Sequence, residues 1–420
     1  MTQTVPRFNP FGAEFRADPY PMYRGLRETR PVHRTLGMWV LTSHSDVRAA
    51  LRDKRLSSSL IPDQVAARIE HLPDDVVSDA RRIVDLGRTS LVFTDDPAHA
   101  RLRALVNRVF TRSRIEALRP IVAQVVDAYL DDIDAASDTG VLDFDLVRSF
   151  ATPLPVEVLC EWMALPTELR GVVGAWTHEV RHLLEPSRMS PEDYARVGGV
   201  VGRFAAALVE LIEARVRKPG HDLVSELAAA EIGGGDRLDA DELAHVGIMC
   251  FIAGTETTSA LIGNAAAALL DHPEQSVLLA ADPGRAGDAI TETLRYDAPL
   301  QMTTRVARSE VEYGGQVIAP GDRVLLCLGA ANRDPAVFES PDEFRMGRGA
   351  EPGAATAHLG FGHGMHGCLG AALARLTAES AIESLWRRFE LALGAAEATW
   401  QKESYIMRGH TSFPVTGRRR

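Results

Sequence analysis

Residues 361–370 read FGHGMHGCLG, from Phe361 to Gly370, and run straight into the helical stretch AALARLTAESAIESLWRRF. Gly362, Gly364 and Gly367 clear side chains from the backbone and open positive φ, which suits a loop lying flat beneath a planar group. Cys368 follows at the mouth of the helix, where amide N–H groups and the helix dipole favour a thiolate. A single cysteine presented in this way is built to bind a metal. Zinc held by His363, His366 and Cys368 would crowd three ligands into six residues, with no fourth at ordinary spacing. A buried structural cysteine has no need of the glycines, and a redox cysteine would bring a C-x-x-C partner that is absent. Thiolate ligation of haem iron also fits the stretch, and it is a family resemblance carried by the same residues that implies it.

Phe361, Gly362, Gly364, His366, Cys368 and Gly370 match every fixed position of the pattern F-G-x-G-x-H-x-C-x-G. With them the chain resembles the cytochrome P450 family, of the soluble bacterial, ferredoxin-dependent kind. The resemblance implies a mainly α fold with a small β part, a single domain over 1–420 with minor antiparallel sheets, and haem b with Cys368 as axial ligand. Residues 418–420, three arginines, are expected as a disordered basic tail.

Composition agrees with a soluble enzyme. The 420 residues carry no Pro/Gly/Ser-rich linker, low-complexity run or internal repeat. Four widely separated cysteines, Cys160, Cys250, Cys327 and Cys368, suggest neither a disulfide framework nor a zinc ribbon, and imply a reducing cytoplasm. The start, MTQTVPRFNPFGAEF, lacks the basic and apolar segments of a signal peptide and offers no membrane anchor. A net charge of −11 argues against a general nucleic-acid binder. The 43 arginines against three lysines read as coding bias of a GC-rich bacterial genome.

One stretch, Val246 to Leu270, is long enough to cross a membrane, with Glu256 its only charge. The polar block Thr255, Glu256, Thr257, Thr258, Ser259 at its centre argues instead for a helix through the core of a large soluble protein, since a carboxylate there would cost about 3 kcal/mol in a bilayer. Gly254 clears space in this notch, and Thr257 can back-bond to a carbonyl one turn earlier and loosen the helix. A kinked helix with solvated threonines is the bland alternative. The resemblance makes Ala253, Gly254, Glu256 and Thr257 the oxygen-binding notch of the family, with Glu256 and Thr257 relaying protons.

Glu292 and Arg295 stand at i and i+3 on a helix that stops before Pro299 and can pair. The resemblance reads them as the family's E-x-x-R, completed by Arg348 in the segment ANRDPAVFESPDEFRMGR; Arg345 stands where relatives often carry Asp. Asp96 and Pro97 read as N-cap and first residue of a helix that sets His99 and Arg103 at i and i+4 on one face. Arg305 lies on a strand leading to a hairpin turned at Gly314-Gly315. By the same resemblance His99, Arg103, Arg305 and His366 clamp the haem propionates.

Family analogy walls a substrate pocket with the segment Ile61 to Phe93, with Trp176, Val180, Leu183 and Met249, and with Leu300, Met302, Ile406 and Met407, each of which also reads as ordinary core. The implied reaction is hydroxylation or epoxidation of a mid-sized lipophilic molecule, in a bacterial setting a polyketide, peptide or terpenoid intermediate. With no G-x-G-x-x-G opening a βαβ unit and no iron–sulfur cysteine cluster, electrons come from NAD(P)H through a separate ferredoxin and ferredoxin reductase. A monomer is expected. Two alternatives stand beside this reading: a haem-thiolate enzyme of another oxidation, such as coupling, dehydrogenation or peroxygenation, and a non-catalytic haem sensor.

Overall fold

The computed structural model describes residues 8–137, 140–348 and 357–420. Helices take 58% of the chain and strands 13%, so the protein is mainly α with small sheets. It forms two compact units, one of Met1–Ser57, Val122–Leu154 and Thr257–Arg420, the other of Ser58–Ile121 and Pro155–Glu256.

The first unit holds the strands. They are β1 (Val32–Thr35), β2 (Met38–Leu41), β3 (Leu56–Ser57), β4 (Val141–Asp145), β5 (Met302–Ala307), β6 (Val311–Tyr313), β7 (Gln316–Ile318), β8 (Arg323–Cys327), β9 (Phe389–Leu393), β10 (Thr399–Trp400), β11 (His410–Ser412) and β12 (Pro414–Arg419). The largest sheet runs β1-β2-β8-β5-β3, antiparallel except where β2 lies parallel to β8. Val32, Leu41, Leu56, Val324 and Leu326 from these strands bury together with Val47 and Leu51, giving the unit an apolar core. The β6–β7 hairpin turns at Gly314 and Gly315, both with positive φ (55° and 70°), the geometry of a tight hairpin that matches strand twist.

The C-terminal arginines are not a disordered tail. Arg418 pairs with Val141 on β4 and Glu390 on β9, Arg419 pairs with Phe389, and the Arg419 guanidinium binds Asp134. Strand pairing needs only backbone groups, so a run of polar side chains does not prevent it.

The second unit is helical. Ser190 and Asp193 form a capping box ahead of the Pro191–Arg217 helix, and Pro191 takes the first position, where its missing N–H is harmless. This helix crosses the Asp74–Arg88 helix so closely that a Cβ at Gly198 would lie 2.2 Å from the Asp79 carbonyl oxygen. Only glycine permits that approach. The Ala240–Asp271 helix is the one element among the described residues long and apolar enough to span a membrane, and 56% of its apolar window is buried inside the protein.

Candidate active site

The cysteine loop belongs to the first unit and is pinned on both sides. Its own backbone closes it, with Gly362 N–H donating to Leu359 O (2.8 Å), Gly367 N–H to Gly364 O (3.1 Å) and Cys368 N–H to Phe361 O (2.9 Å). Gly362 and Gly364 have φ of 69° and 72°. A Cβ at Gly360 would sit 2.5 Å from Leu294 O, and one at Gly364 2.7 Å from Leu51 O, so the loop lies against two neighbouring backbones. Gly370 caps the Ala371–Arg388 helix. Cys368 therefore stands just before a helix N-terminus, and its side chain is exposed while Cys160 and Cys327 are buried. Burial pushes the Cys160 and Cys250 thiols up to about 12 and Cys327 upward as well, so these three are protonated and inert. His366 is half-buried in the loop's single 3-10 turn. Nearby His358 is held down to about 4, first by burial and then by Arg375 and Arg295, and its Nδ1 accepts from Gly360 N–H (3.3 Å).

Among the described residues no three His, Cys, Asp or Glu side chains converge as metal ligands. A single exposed sulfur offered by a glycine loop at a helix N-terminus fits an iron already held by a macrocycle, and does not fit zinc, which needs four ligands.

Glu292, Arg295 and Arg348 meet in the same unit, each side chain about 3% exposed. Arg295 reaches Glu292 through two nitrogens (2.7 and 2.9 Å), and Arg348 Nε lies 3.2 Å away. The remaining guanidinium donors go to carbonyls of Asn332, Pro341, Glu343, Glu339 and Ser340. Arg345, the departure from the family pattern, contributes its backbone N–H to Glu292 (3.0 Å). Asn332 extends the lock to the cysteine loop, accepting from Leu359 N–H (2.6 Å) and donating to Leu294 O (3.1 Å).

His99 and Arg103 share one face of the Ala98–Asn107 helix in the second unit, His99 buried at 3% exposure and Arg103 half-buried. The helix starts one residue later than the sequence suggests. Pro97 occupies the N-cap behind a cis Asp96–Pro97 bond, and His99 Nδ1 lies 4.0 Å from Asp96. Sequence reasoning missed the pairing of Arg101, whose guanidinium grips Asp236 (2.8 Å) and Glu242 (2.6 Å) and ties this helix to the approach and first turn of the Ala240–Asp271 helix. Partners 135 and 141 residues away leave no local spacing signal. In the first unit Arg305 is buried on β5 and donates to Thr303 Oγ1 (3.0 Å) and Thr304 O (2.8 Å).

Along the Ala240–Asp271 helix Ala253 is exposed and Gly254, Glu256 and Thr257 are half-buried, while Phe251, Ile252 and Thr255 are buried. A small-residue face thus opens in mid-helix. Thr255 makes a back-bond to Phe251 O (2.7 Å). An apolar pocket in the second unit includes Phe93, Met249 and Leu183 in its wall. Trp176 and Val180 do not line it. Trp176, half-buried, packs on Phe204 (5.4 Å between rings), which packs on Phe251, and Val180 is fully buried. In the first unit Leu300 bridges Met407, Gln301 N–H donates to Ile406 O (2.7 Å), and Met302 is fully buried.

Known proteins resemble the chain along nearly its whole length. The description of the Cytochrome P450 family matches residues 287–411. The chain is 37% identical to 6-deoxyerythronolide B hydroxylase of Saccharopolyspora erythraea over 96% of each chain, and 32% identical to the polyketide biosynthesis cytochrome P450 PksS of Bacillus subtilis over 97% of this chain and 98% of that one. Its fold matches P450BioI, solved in complex with a hexadec-9Z-enoic acid ligated acyl carrier protein, with a TM-score of 0.84, 32% identity and coverage of 96% and 99%. With the cysteine loop, the triad and near-complete coverage in agreement, the chain belongs to the cytochrome P450 family.

Proposed function

We propose that this P450 monooxygenase carries its haem on Cys368 and places one oxygen atom from O2 into a mid-sized lipophilic intermediate of bacterial natural-product biosynthesis, with a polyketide as the favoured class. The exposed Cys368 sulfur, held at a helix N-terminus by a loop locked to the Glu292 cluster, carries this reading. The polyketide preference comes from the relatives' names.

When bound, a thiolate-ligated haem activates dioxygen for insertion into C–H or C=C bonds. The chain supplies the rest. His99, Arg103, Arg305 and His366 would be the cationic or hydrogen-bonding partners for the propionates, and Phe361, Gly362 and Gly370 would shape the loop that carries the ligand cysteine. Glu256 and Thr257 hold protons and hand them inward from the mid-helix notch, a role that depends on position more than on an extreme pKa. Apolar walls such as Phe93 and Met249 keep water away from the substrate. Reducing equivalents arrive from NAD(P)H through a ferredoxin and its reductase, in the cytoplasm, to a monomeric enzyme working as one catalytic domain.

The test is spectroscopic. Cys368→Ser is expected to lose the thiolate-type absorption of the reduced carbon monoxide complex and all oxygenation, while alanine at Cys160, Cys250 or Cys327 preserves that absorption. A thiolate spectrum retained in Cys368→Ser would sink the assignment.

A further inference from the structure

Thr257 belongs to the first unit with the cysteine loop, and so do the residues that grip its helix further along. Ala260 and Asn264 follow Thr257 at i+3 and i+7, so they continue its face of the Ala240–Asp271 helix. Asn264 stands about 10 Å along the axis from Thr257, roughly two turns. It is 1% exposed, and its Nδ2 donates to two carbonyls, Asp297 O (3.0 Å) and Arg408 O (3.2 Å). Its Oδ1 has no hydrogen-bond partner among the described residues. A buried acceptor left over in this way costs stability, so the carboxamide serves here through its two N–H donors.

The two carbonyls sit on a braced post. Arg408 Nε donates to Asp297 Oδ1 (2.7 Å), Tyr20 Oη donates to the same oxygen (2.6 Å), and the rest of the Arg408 guanidinium donates to Arg16 O (2.7 Å) and Ala17 O (3.1 Å). The post shares a support with the cysteine loop. Asp297 N–H donates to Thr293 O (2.8 Å) at the end of the Ala286–Tyr296 helix, and Leu294 O of that helix takes the Asn332 amide that also accepts from Leu359 N–H. Gly409 completes the grip. A Cβ there would lie 2.6 Å from Ala260 Cβ, so the strand backbone and the helix interlock one turn beyond Thr257, which hinders both rotation and sliding of the helix.

We infer that Asn264 is a positioning residue for the oxygenation: by clamping the helix to Asp297 and Arg408, with Gly409 seated against Ala260, it sets where the Thr257 hydroxyl stands relative to the cysteine loop. The inference rests on the proton-relay reading above, and the experiment separates the two. The probe is carbon monoxide on the reduced holoenzyme, read by its C–O stretch in the infrared. A hydroxyl that donates to the bound gas lowers this frequency, and loss of the donor raises it. Only protein with the thiolate-type absorption is counted, so loss of haem or of fold does not enter the reading.

Thr257→Ala is expected to move the band to higher frequency. A band that stays in place brings down the relay reading, and this inference with it. With that shift present, Asn264→Ala should move the band the same way and add nothing in the Thr257→Ala background, because its effect passes through that hydroxyl. Gly409→Ala should act like Asn264→Ala, and adding Ala260→Gly, which removes the opposing Cβ, should return the band to its native position. This pair keeps the test decisive should Asn264→Ala fail to bind haem. The inference alone is overturned if the Thr257→Ala shift is present and Asn264→Ala keeps the native band, or shifts it equally with and without the Thr257 hydroxyl. It is likewise overturned if Gly409→Ala keeps the native band or shifts it beyond rescue by Ala260→Gly.

Discussion

The Glu292 carboxylate accepts hydrogen bonds from Arg295, Arg348 and the Arg345 amide in a site closed to water. Removing one partner of such a buried pair leaves an uncompensated charge and costs on the order of 3–5 kcal/mol, so the cluster holds one backbone arrangement of the segment carrying Asn332 and, through it, the cysteine loop. The chemistry at Thr257 asks for less rigidity and more placement. Its hydroxyl is half-buried, beside Glu256, on a helix whose neighbouring threonine Thr255 is committed to a carbonyl. Thr257→Ala is expected to bind haem and substrate as before but to send NADPH electrons to hydrogen peroxide, with product formation falling by up to about 10²-fold, the lower end of what a positioned proton donor contributes. Product and peroxide measured per NADPH consumed check this; unchanged coupling would assign the proton transfer to another group or to bound water.

At the scale of elements, the connector between the Thr167–Val180 and Pro191–Arg217 helices is two short 3-10 turns, Arg181–Leu184 and Pro186–Arg188, and it supplies Leu183 and Pro186 to the pocket wall. Short 3-10 turns carry few internal hydrogen bonds, so this segment opens more readily than the helices it joins. Substrate is expected to slow amide exchange over about 176–201 more than in the cysteine loop, which is already closed by its own backbone bonds. Equal protection in the two segments, or none in the connector, would argue against a lid. Legibility followed the range of the signal. The Glu292–Arg295 pair and the Ser190 cap are local spacings and could be read directly, and Arg348 came through resemblance. Arg101 with Asp236 and Glu242, and Thr89 with His245, could not, because chain distance hides them. Trp176 and Val180 show a further limit: an apolar residue on a helix face has the same pattern whether it faces a pocket or a core.

For the molecule as a whole, a net charge of −11 makes contact with an acidic electron donor a matter of local patches. The sequence suggests one formed by Arg101, Arg108, Arg112, Arg114 and Arg375. Three of these are already paired with acids, Arg101 with Asp236 and Glu242, Arg114 with Glu226 and Arg375 with Glu379, which lowers their net field. Arg108 and Arg112 are exposed. So are Arg48 and Arg52 in the first unit; burial first, and then these two guanidiniums, hold His363 of the cysteine loop below its ordinary pKa, which places positive charge beside that loop. If an acidic ferredoxin uses these charges, its reduction of the enzyme should slow as ionic strength rises, since exposed charges are screened beyond roughly 8 Å at physiological salt. Charge reversal at Arg52, Arg108 or Arg112 should raise the apparent KM for ferredoxin by several-fold and leave substrate-induced spectral shifts intact, because the change falls on encounter and not on the pocket. Stopped-flow reduction across a salt series reads both effects. A rate that ignores both salt and reversal would place the donor on an uncharged face, where shape rather than charge selects it.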